Sequence, residues 1–117
     1  MALPELVRRQ VEKELGDYCE KRVPAHARDQ VRLEFDIEGN AATIVERRIP
    51  WRPEWRDQEW TRFPIARFRF NNTARLWTLY WRDRNLRWHL YDLVKPSPSL
   101  SALLAEVGRD PTAIFWG

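Results

Sequence analysis

Cysteine, glycine and long apolar runs are scarce in this sequence, and each scarcity excludes a class of protein. The single cysteine, Cys19, cannot form an intrachain disulfide, so a disulfide-stabilised domain is excluded. The four glycines are scattered and form no Gly-rich phosphate loop, which removes support for nucleotide-dependent chemistry. No apolar run approaches the roughly 18 residues of a membrane-spanning helix, and the start MALPELVRRQ lacks a signal peptide's hydrophobic region. We therefore expect a cytoplasmic protein without membrane contact.

Arginine and tryptophan, by contrast, are concentrated in one segment of the chain. The 20 basic residues comprise 17 arginines and only three lysines. Six of the seven tryptophans and nine of the arginines lie between Trp51 and Tyr91. Residues 41–92 hold eleven basic and six acidic side chains, so the net charge of +3 originates there. Because arginine stacks on aromatic rings and pairs with planar anions, the segment is either an arginine-coated core or a binding surface.

The first third of the chain predicts a helix followed by a hairpin. Its 117 residues are enough for one domain, 1–117, with a buried core. Apolar residues at spacings of three and four predict an amphipathic helix over residues 3–23, ended by Pro24. Strict alternation predicts a strand over residues 31–37, and 41–49 a second strand whose inward face the pattern does not fix. The apolar stripe of the helix comprises Leu3, Leu6, Val7, Val11, Leu15, Tyr18, Cys19 and Val23. On this stripe Cys19 is expected to pack as a small hydrophobe.

Three further strands are predicted at residues 65–70, 76–82 and 87–91. Turn residues at 71–73 and 83–85 separate them. Their alternation assigns Trp77, Trp81 and Trp88 to the core. The prolines at 50 and 53 make the preceding stretch an irregular crossing, in which a short helical turn is expected over residues 54–58.

The end of the chain predicts a short helix and a buried terminus. Ser99 or Ser101 can cap a helix that runs through Val107 and is stopped by Gly108. The terminal Ile-Phe-Trp is expected to dock on the sheet or on the first helix, because these side chains gain from burial. The fold class that follows is α+β. It comprises an antiparallel sheet of about five strands, a hairpin plus a three-strand meander, with the N-terminal and C-terminal helices on one face.

Several motifs together resemble the bacterial family of unknown function DUF3024. They are PELVRRQVEKELGDYCEKRVPAHARDQVRLEF, ERRIPW, WTLYWRDRNLRWHLYD and the terminal DPTAIFWG, and they cover nearly the whole chain. One departure is Ile49, where the family commonly has a second proline. The resemblance implies a small bacterial protein and brings no catalytic residue, ligand or reaction.

A binding surface is the function that the residues favour. Single-stranded nucleic acid is bound by cations that follow the backbone and by aromatic rings on which bases stack. The candidate binding residues are Arg67, Arg69, Arg82, Arg84 and Arg87 for phosphates, and Trp51, Trp55 or Trp60 for stacking. A protein partner, including a second copy in a homodimer, fits the same residues, because tryptophan and arginine are enriched at interface hot spots.

A small nuclease or endoribonuclease toxin is the alternative. Asp36 and Glu46 on paired strands could hold Mg²⁺ near a phosphate, although Arg48 stands where such sites carry lysine. Cross-strand ion pairs would explain the same residues.

A second catalytic arrangement would be metal-free. His89, Tyr91 and Arg87 share one strand face at spacing two, as metal-free RNA cleavage would need. A solvated or hydrogen-bonded strand histidine is the simpler explanation of His89. No second cysteine or nearby histidine supplies metal-ligand spacing, so no metal and no cofactor is expected.

Overall fold

The computed structural model describes residues 2–49 and 60–116, which contain two α-helices, one short 3-10 helix and a five-stranded sheet. The elements are α1 (Glu5–Arg22), a short 3-10 helix (Ala25–Ala27), β1 (Val31–Glu38), β2 (Ala41–Arg48), β3 (Thr61–Asn71), β4 (Leu76–Arg82), β5 (Trp88–Leu90) and α2 (Leu100–Arg109). The strands follow the order β1-β2-β3-β4-β5, and every neighbouring pair is antiparallel. This confirms the predicted α+β fold. The helical turn predicted at 54–58 lies outside the described residues.

Helix α1 packs on the sheet through residues spaced four apart. Val7, Val11, Leu15 and Cys19 are all buried, and the expectation that Cys19 packs as a hydrophobe is confirmed. Burial raises the pKa of the Cys19 thiol to about 12. The assignment of Leu6 to the apolar stripe is wrong, because its side chain is 78% exposed. Leu6 precedes Val7 by one residue and so lies about 100° around the helix from it, whereas the buried residues at intervals of four advance about 40° per step in the opposite direction.

The face of the sheet that both helices cover, here called the inner face, forms the core. Ile44, Phe68, Trp77 and Leu79 are among its most deeply buried side chains. Ile44 pairs with Ala66, and both are fully buried, which fixes the inward face of β2. The predicted core positions of Trp77 and Trp81 are confirmed: Trp77 is buried, and Trp81 is half-buried against the core.

A bulge interrupts β3 next to its proline. The register shifts between Ile44 and Val45, which face Ala66 and Pro64, so Ile65 has no partner on β2. A proline lacks the N–H that an interior strand position needs, and bulges are where sheets accommodate it. Because of the bulge, Pro64 and Arg62 lie on the same side of the sheet as Arg67.

The C-terminal segment closes the inner face at its far end. Ser99 caps α2 by accepting a hydrogen bond from the Ala102 amide at 3.2 Å. The prediction that Gly108 stops α2 is wrong, because the helix continues to Arg109 and Asp110 adopts the left-handed cap with φ 45°. An aspartate tolerates this conformation, since its side chain can bond nearby backbone groups.

The terminus docks as predicted. Phe115 is buried with its ring centroid 5.2 Å from that of Tyr91. Trp116 donates through Nε1 to the carbonyl of Val107 at 3.0 Å, and the Arg22 guanidinium of α1 lies 4.5 Å over its ring.

The opposite face of the sheet, here called the outer face, is polar and aromatic. Within residues 2–49 and 60–116 both α-helices pack on the inner face. The strand register places the following side chains on the outer face: Glu34, Asp36 and Glu38 of β1; Ala41, Thr43 and Val45 of β2; Arg62, Pro64, Arg67 and Arg69 of β3; Thr78, Tyr80 and Arg82 of β4; and Trp88 and Leu90 of β5. None of the described helices is long and apolar enough to cross a membrane.

Candidate arginine and aromatic site on the outer face

Three arginines and two aromatic rings meet on the outer face of strands β3, β4 and β5. Arg67 and Arg69 alternate with the buried Phe68 and Phe70, so burial of the phenylalanines directs both arginines outward. Arg67 pairs with Tyr80 across the β3–β4 ladder. Across the β4–β5 ladder Arg82 pairs with Trp88, and Tyr80 pairs with Leu90. The cluster of Arg67, Arg69, Tyr80, Arg82 and Trp88 is called the arginine site below.

Guanidinium groups lie over the rings of this site. The Arg67 guanidinium carbon is 4.4 Å from the centroid of the Trp88 ring, and that of Arg82 is 5.9 Å from it. Arg69 lies 5.4 Å over Tyr80. Arg67 also donates through Nε to the hydroxyl of Thr43 at 3.1 Å. A guanidinium stacked on a ring keeps its N–H edges available, so the rings hold these arginines in place without using their donors.

The charges of the arginine site are not neutralised within the described chain. Arg47, Arg48, Arg62 and Arg109 each form an ion pair with a carboxylate. In residues 2–49 and 60–116, by contrast, no carboxylate lies within ion-pair distance of Arg67, Arg69 or Arg82.

Two further observations concern the charges and the hydrogen-bond donors of this site. Burial, Arg69 and Arg82 together lower the pKa of Arg67, against an opposing effect of Glu38. The Nε atom of Arg82 is buried and has no hydrogen-bond acceptor among the described residues. The site therefore combines an unmet donor with repulsion between cations.

The turn between β4 and β5 carries the other two predicted arginines beside this site. Asp83 accepts hydrogen bonds from the backbone N–H of Asn85 at 2.8 Å and of Arg87 at 3.0 Å. Its other carboxylate oxygen lies 2.6 Å from Nε2 of His89. The bonds from Arg87 and His89 lower the pKa of Asp83. Arg84 and Arg87 are thus exposed on a turn whose backbone is fixed.

The tryptophans predicted for stacking are placed differently. Trp60 lies at the other end of the outer face, where the Arg32 guanidinium is 4.5 Å from its ring centroid. Arg47 donates to its carbonyl oxygen at 3.4 Å. Trp51 and Trp55 lie outside the described residues.

Trp88 is the ring that sequence reasoning missed. The prediction that it lies in the core is wrong, because its pairing with Arg82 places it on the outer face. Its neighbour Leu90 on the same face is 54% exposed. The register between β4 and β5 would have shown this. Because Trp81 points inward, the next residue, Arg82, and its partner on β5 point outward.

The two carboxylates predicted for Mg²⁺ do not meet. Asp36 pairs with Thr43 on the outer face, whereas Glu46 pairs with Leu33 on the inner face. Asp36 forms an ion pair with Arg62, and Glu46 accepts a bond from Arg48 at 2.8 Å. The described residues contain no group of three or more His, Cys, Asp or Glu side chains that could hold a metal ion.

The residues predicted for RNA cleavage are engaged in structural contacts. His89 stacks on Trp81 with 4.8 Å between ring centroids, in addition to its contact with Asp83. Tyr91 is buried and donates to Glu106 at 2.7 Å. Burial and this acceptor raise the pKa of Tyr91 to about 12. Neither side chain faces the arginine site, since both lie on the inner side of β5 or its extension.

Comparison with known proteins places the chain in a family. Neither a curated protein nor a solved structure matches it. The model of the family described as Domain of unknown function (DUF3024) matches residues 3–117, nearly the whole chain. This confirms the resemblance seen in the motifs, and the chain belongs to the DUF3024 family.

Proposed function

We propose that the arginine site binds single-stranded nucleic acid and that the protein acts there as a binding module without catalysis. The observation that carries this proposal is a set of three neighbouring guanidinium groups on one face, none of which has a carboxylate partner within residues 2–49 and 60–116. A ligand with several negative charges would relieve the repulsion between these cations and satisfy the free N–H donors.

The spacing of the cations favours a chain of phosphates over a single anion. Arg67 and Arg69 occupy alternate positions of one strand and are therefore about 7 Å apart. Arg82 on β4 adds a third cation on the next strand, where Trp88 lies between it and Arg67. Binding that follows a backbone in this way is independent of sequence and depends strongly on salt.

The aromatic residues favour a single strand over a duplex. Tyr80 and Trp88 lie beneath the planar guanidinium groups of Arg69 and Arg67. Unpaired bases can stack on such planes, whereas the bases of a duplex are already stacked. A flat sheet that carries rings and cations is a surface on which a single strand can lie.

Fluorescence anisotropy with labelled single-stranded DNA and RNA of random sequence, at low and rising salt, tests the proposal. We expect binding whose logarithm falls with the logarithm of salt with a slope of about −2, as three phosphate contacts to a single strand predict. Alanine at Arg67, Arg69 and Arg82 together should weaken binding by at least about tenfold. The matched control is Arg9→Ala, which removes an exposed arginine of α1 that pairs with Glu5.

Absence of any salt-sensitive binding by the wild-type protein at low ionic strength would refute the proposal. So would equal affinities of the triple variant and the Arg9→Ala control. If oligonucleotides fail to bind but poly-glutamate binds and requires the same three arginines, the face belongs to an acidic protein partner.

A further inference from the structure

Charged residues of opposite sign face one another across β2 on the outer face. The strand register forms two rows, Glu38–Ala41–Arg69 and Asp36–Thr43–Arg67. In each row an acid of β1 and an arginine of β3 flank a small residue of β2. The result is a trough of about 460 Å³ with carboxylates along one wall and guanidinium groups along the other.

Among the described residues, no ion pair joins the two walls at the hairpin end of this trough. The walls stand on strands two positions apart, hence about 10 Å between backbones. Asp36 is paired with Arg62, but no cation of the described residues lies within ion-pair distance of Glu38, and no carboxylate lies within that distance of Arg69. Both of these side chains are exposed.

This arrangement is complementary to itself. Consider two sheets stacked on their outer faces and related by a two-fold axis parallel to β2. This axis places β1 of one copy over β3 of the other. Each row then lies opposite the same row of the other copy, because the rotation does not change positions along the strands. Glu38 of each copy then lies over Arg69 of the other. In the same way, Asp36 of each copy lies over Arg67 of the other. Stacked sheets are about 10 Å apart, a gap that glutamate and arginine side chains can span from both sides.

We infer that the outer face of β1, β2 and β3 binds a second copy of this chain, as a face-to-face dimer with two Glu38–Arg69 contacts. A symmetric interface of this kind uses the same surface on both copies, and the two rows meet that requirement. The inference does not depend on nucleic-acid binding. Because both ligands would use Arg67 and Arg69, a second copy and a nucleic acid would compete.

Charge exchange between the two contact residues tests the dimer. Glu38→Arg and Arg69→Glu should each weaken self-association at low salt by at least about tenfold, since each places like charges opposite one another twice. An equimolar mixture of the two variants should form a heterodimer, because both contacts then join an arginine to a glutamate. Sedimentation equilibrium on the wild type, each variant and the mixture gives these values. Circular dichroism checks that the exposed substitutions leave the fold intact.

Three outcomes would overturn the inference: a wild-type protein that stays monomeric at every concentration, variants that associate as strongly as the wild type, or a mixture that stays monomeric. Oligonucleotide binding by the same variants separates this inference from the proposed function. Glu38→Arg adds a positive charge and should retain nucleic-acid binding while it loses self-association. If oligonucleotides never bind but the mixture dimerises, the nucleic-acid proposal fails and the dimer stands.

Discussion

The hydroxyl of Tyr91 donates a 2.7 Å hydrogen bond to the carboxylate of Glu106, and it thereby ties the end of the sheet to helix α2. Both side chains are buried, with 2% of Tyr91 and 7% of Glu106 exposed. Arg109 bonds the second carboxylate oxygen from the next turn of α2. A buried carboxylate is tolerated here because each of its oxygens has a donor.

Tyr91→Phe should lower the free energy of unfolding by about 1–3 kcal/mol, because one oxygen of Glu106 is left buried without its donor. Urea denaturation measures this difference. The matched control is Tyr80→Phe on the outer face, whose hydroxyl has no hydrogen-bond partner within the described chain and whose loss should change stability by less than about 0.5 kcal/mol. Equal losses in the two variants would show that the bond to Glu106 contributes nothing.

Lowering the pH should remove the stability that the Glu106 carboxylate contributes to the folded chain. The bonds from Tyr91 and then from Arg109 hold the pKa of Glu106 below its ordinary value of 4.5. The unfolded chain therefore takes up this proton at a higher pH than the folded chain does. The stability that the group contributes is fully present above pH 4.5 and is lost as the pH falls through the lower, folded value.

Comparison of the wild type with Glu106→Gln should reveal this titration. We expect the difference in their free energies of unfolding to be constant near neutral pH and to shrink below about pH 4.5, because glutamine does not titrate. A difference that stays constant down to pH 2 would mean that Glu106 ionises alike in the folded and unfolded chains. Urea titrations at fixed ionic strength across this range supply the values.

Asp110 controls how the C-terminus docks. It caps α2 in the left-handed conformation, and its two carboxylate oxygens accept hydrogen bonds from the amides of Phe115 at 3.1 Å and Trp116 at 2.8 Å. Alanine at this position loses both acceptors and is strained at positive φ, so Asp110→Ala should lower stability by about 2–4 kcal/mol. Asparagine tolerates the conformation and keeps one acceptor, so Asp110→Asn should lose about half as much.

Amide hydrogen exchange distinguishes docking from a general loss of stability. In Asp110→Ala the amides of Phe115 and Trp116 should lose more protection against exchange than those of β2 and β3. In Asp110→Asn one of these two C-terminal amides should keep its protection, because the asparagine retains one acceptor oxygen. Uniform changes in protection over the whole chain would contradict a local role for the carboxylate.

Much of the fold follows from local patterns in the sequence. The alternation of β1 and the four-residue spacing of Val7, Val11 and Leu15 are each decided within one element, and the structure confirms them. The errors occur at element ends. Gly108 lies inside helix α2, and the left-handed residue that ends the helix is Asp110, two positions later.

Prediction of the candidate site from the sequence is limited by the register between strands. Arg67 and Arg69 follow from their alternation with phenylalanine, but their contacts with Thr43 and Trp88 depend on the register of other strands. A strand changes face with every residue, so one uncertain register position reverses an assignment. That parity separates Asp36 from Glu46 and turns Trp88 outward, and neither strand alone contains the information.

Truncation of two tryptophans on neighbouring strands should therefore lower stability to different extents. Trp77 is 1% exposed in the core, in contact with Phe70, so Trp77→Ala should lower the free energy of unfolding by about 3–5 kcal/mol. Trp88 is half-buried on the edge strand, and its main contacts are the guanidinium groups of Arg67 and Arg82. Trp88→Ala should lower it by only about 1–2 kcal/mol, as expected for loss of partial burial and of exposed cation–π contacts.

The same pair of variants separates the site from the core in a binding measurement. Trp88→Ala leaves Arg67 without the ring that orients it, so oligonucleotide affinity should fall while most of the protein remains folded. Trp77→Phe keeps an aromatic ring in the core and does not touch the arginine site, and it should retain wild-type affinity. If oligonucleotide affinity falls in both variants in proportion to their loss of thermal stability, the Trp88 ring contributes to the fold alone.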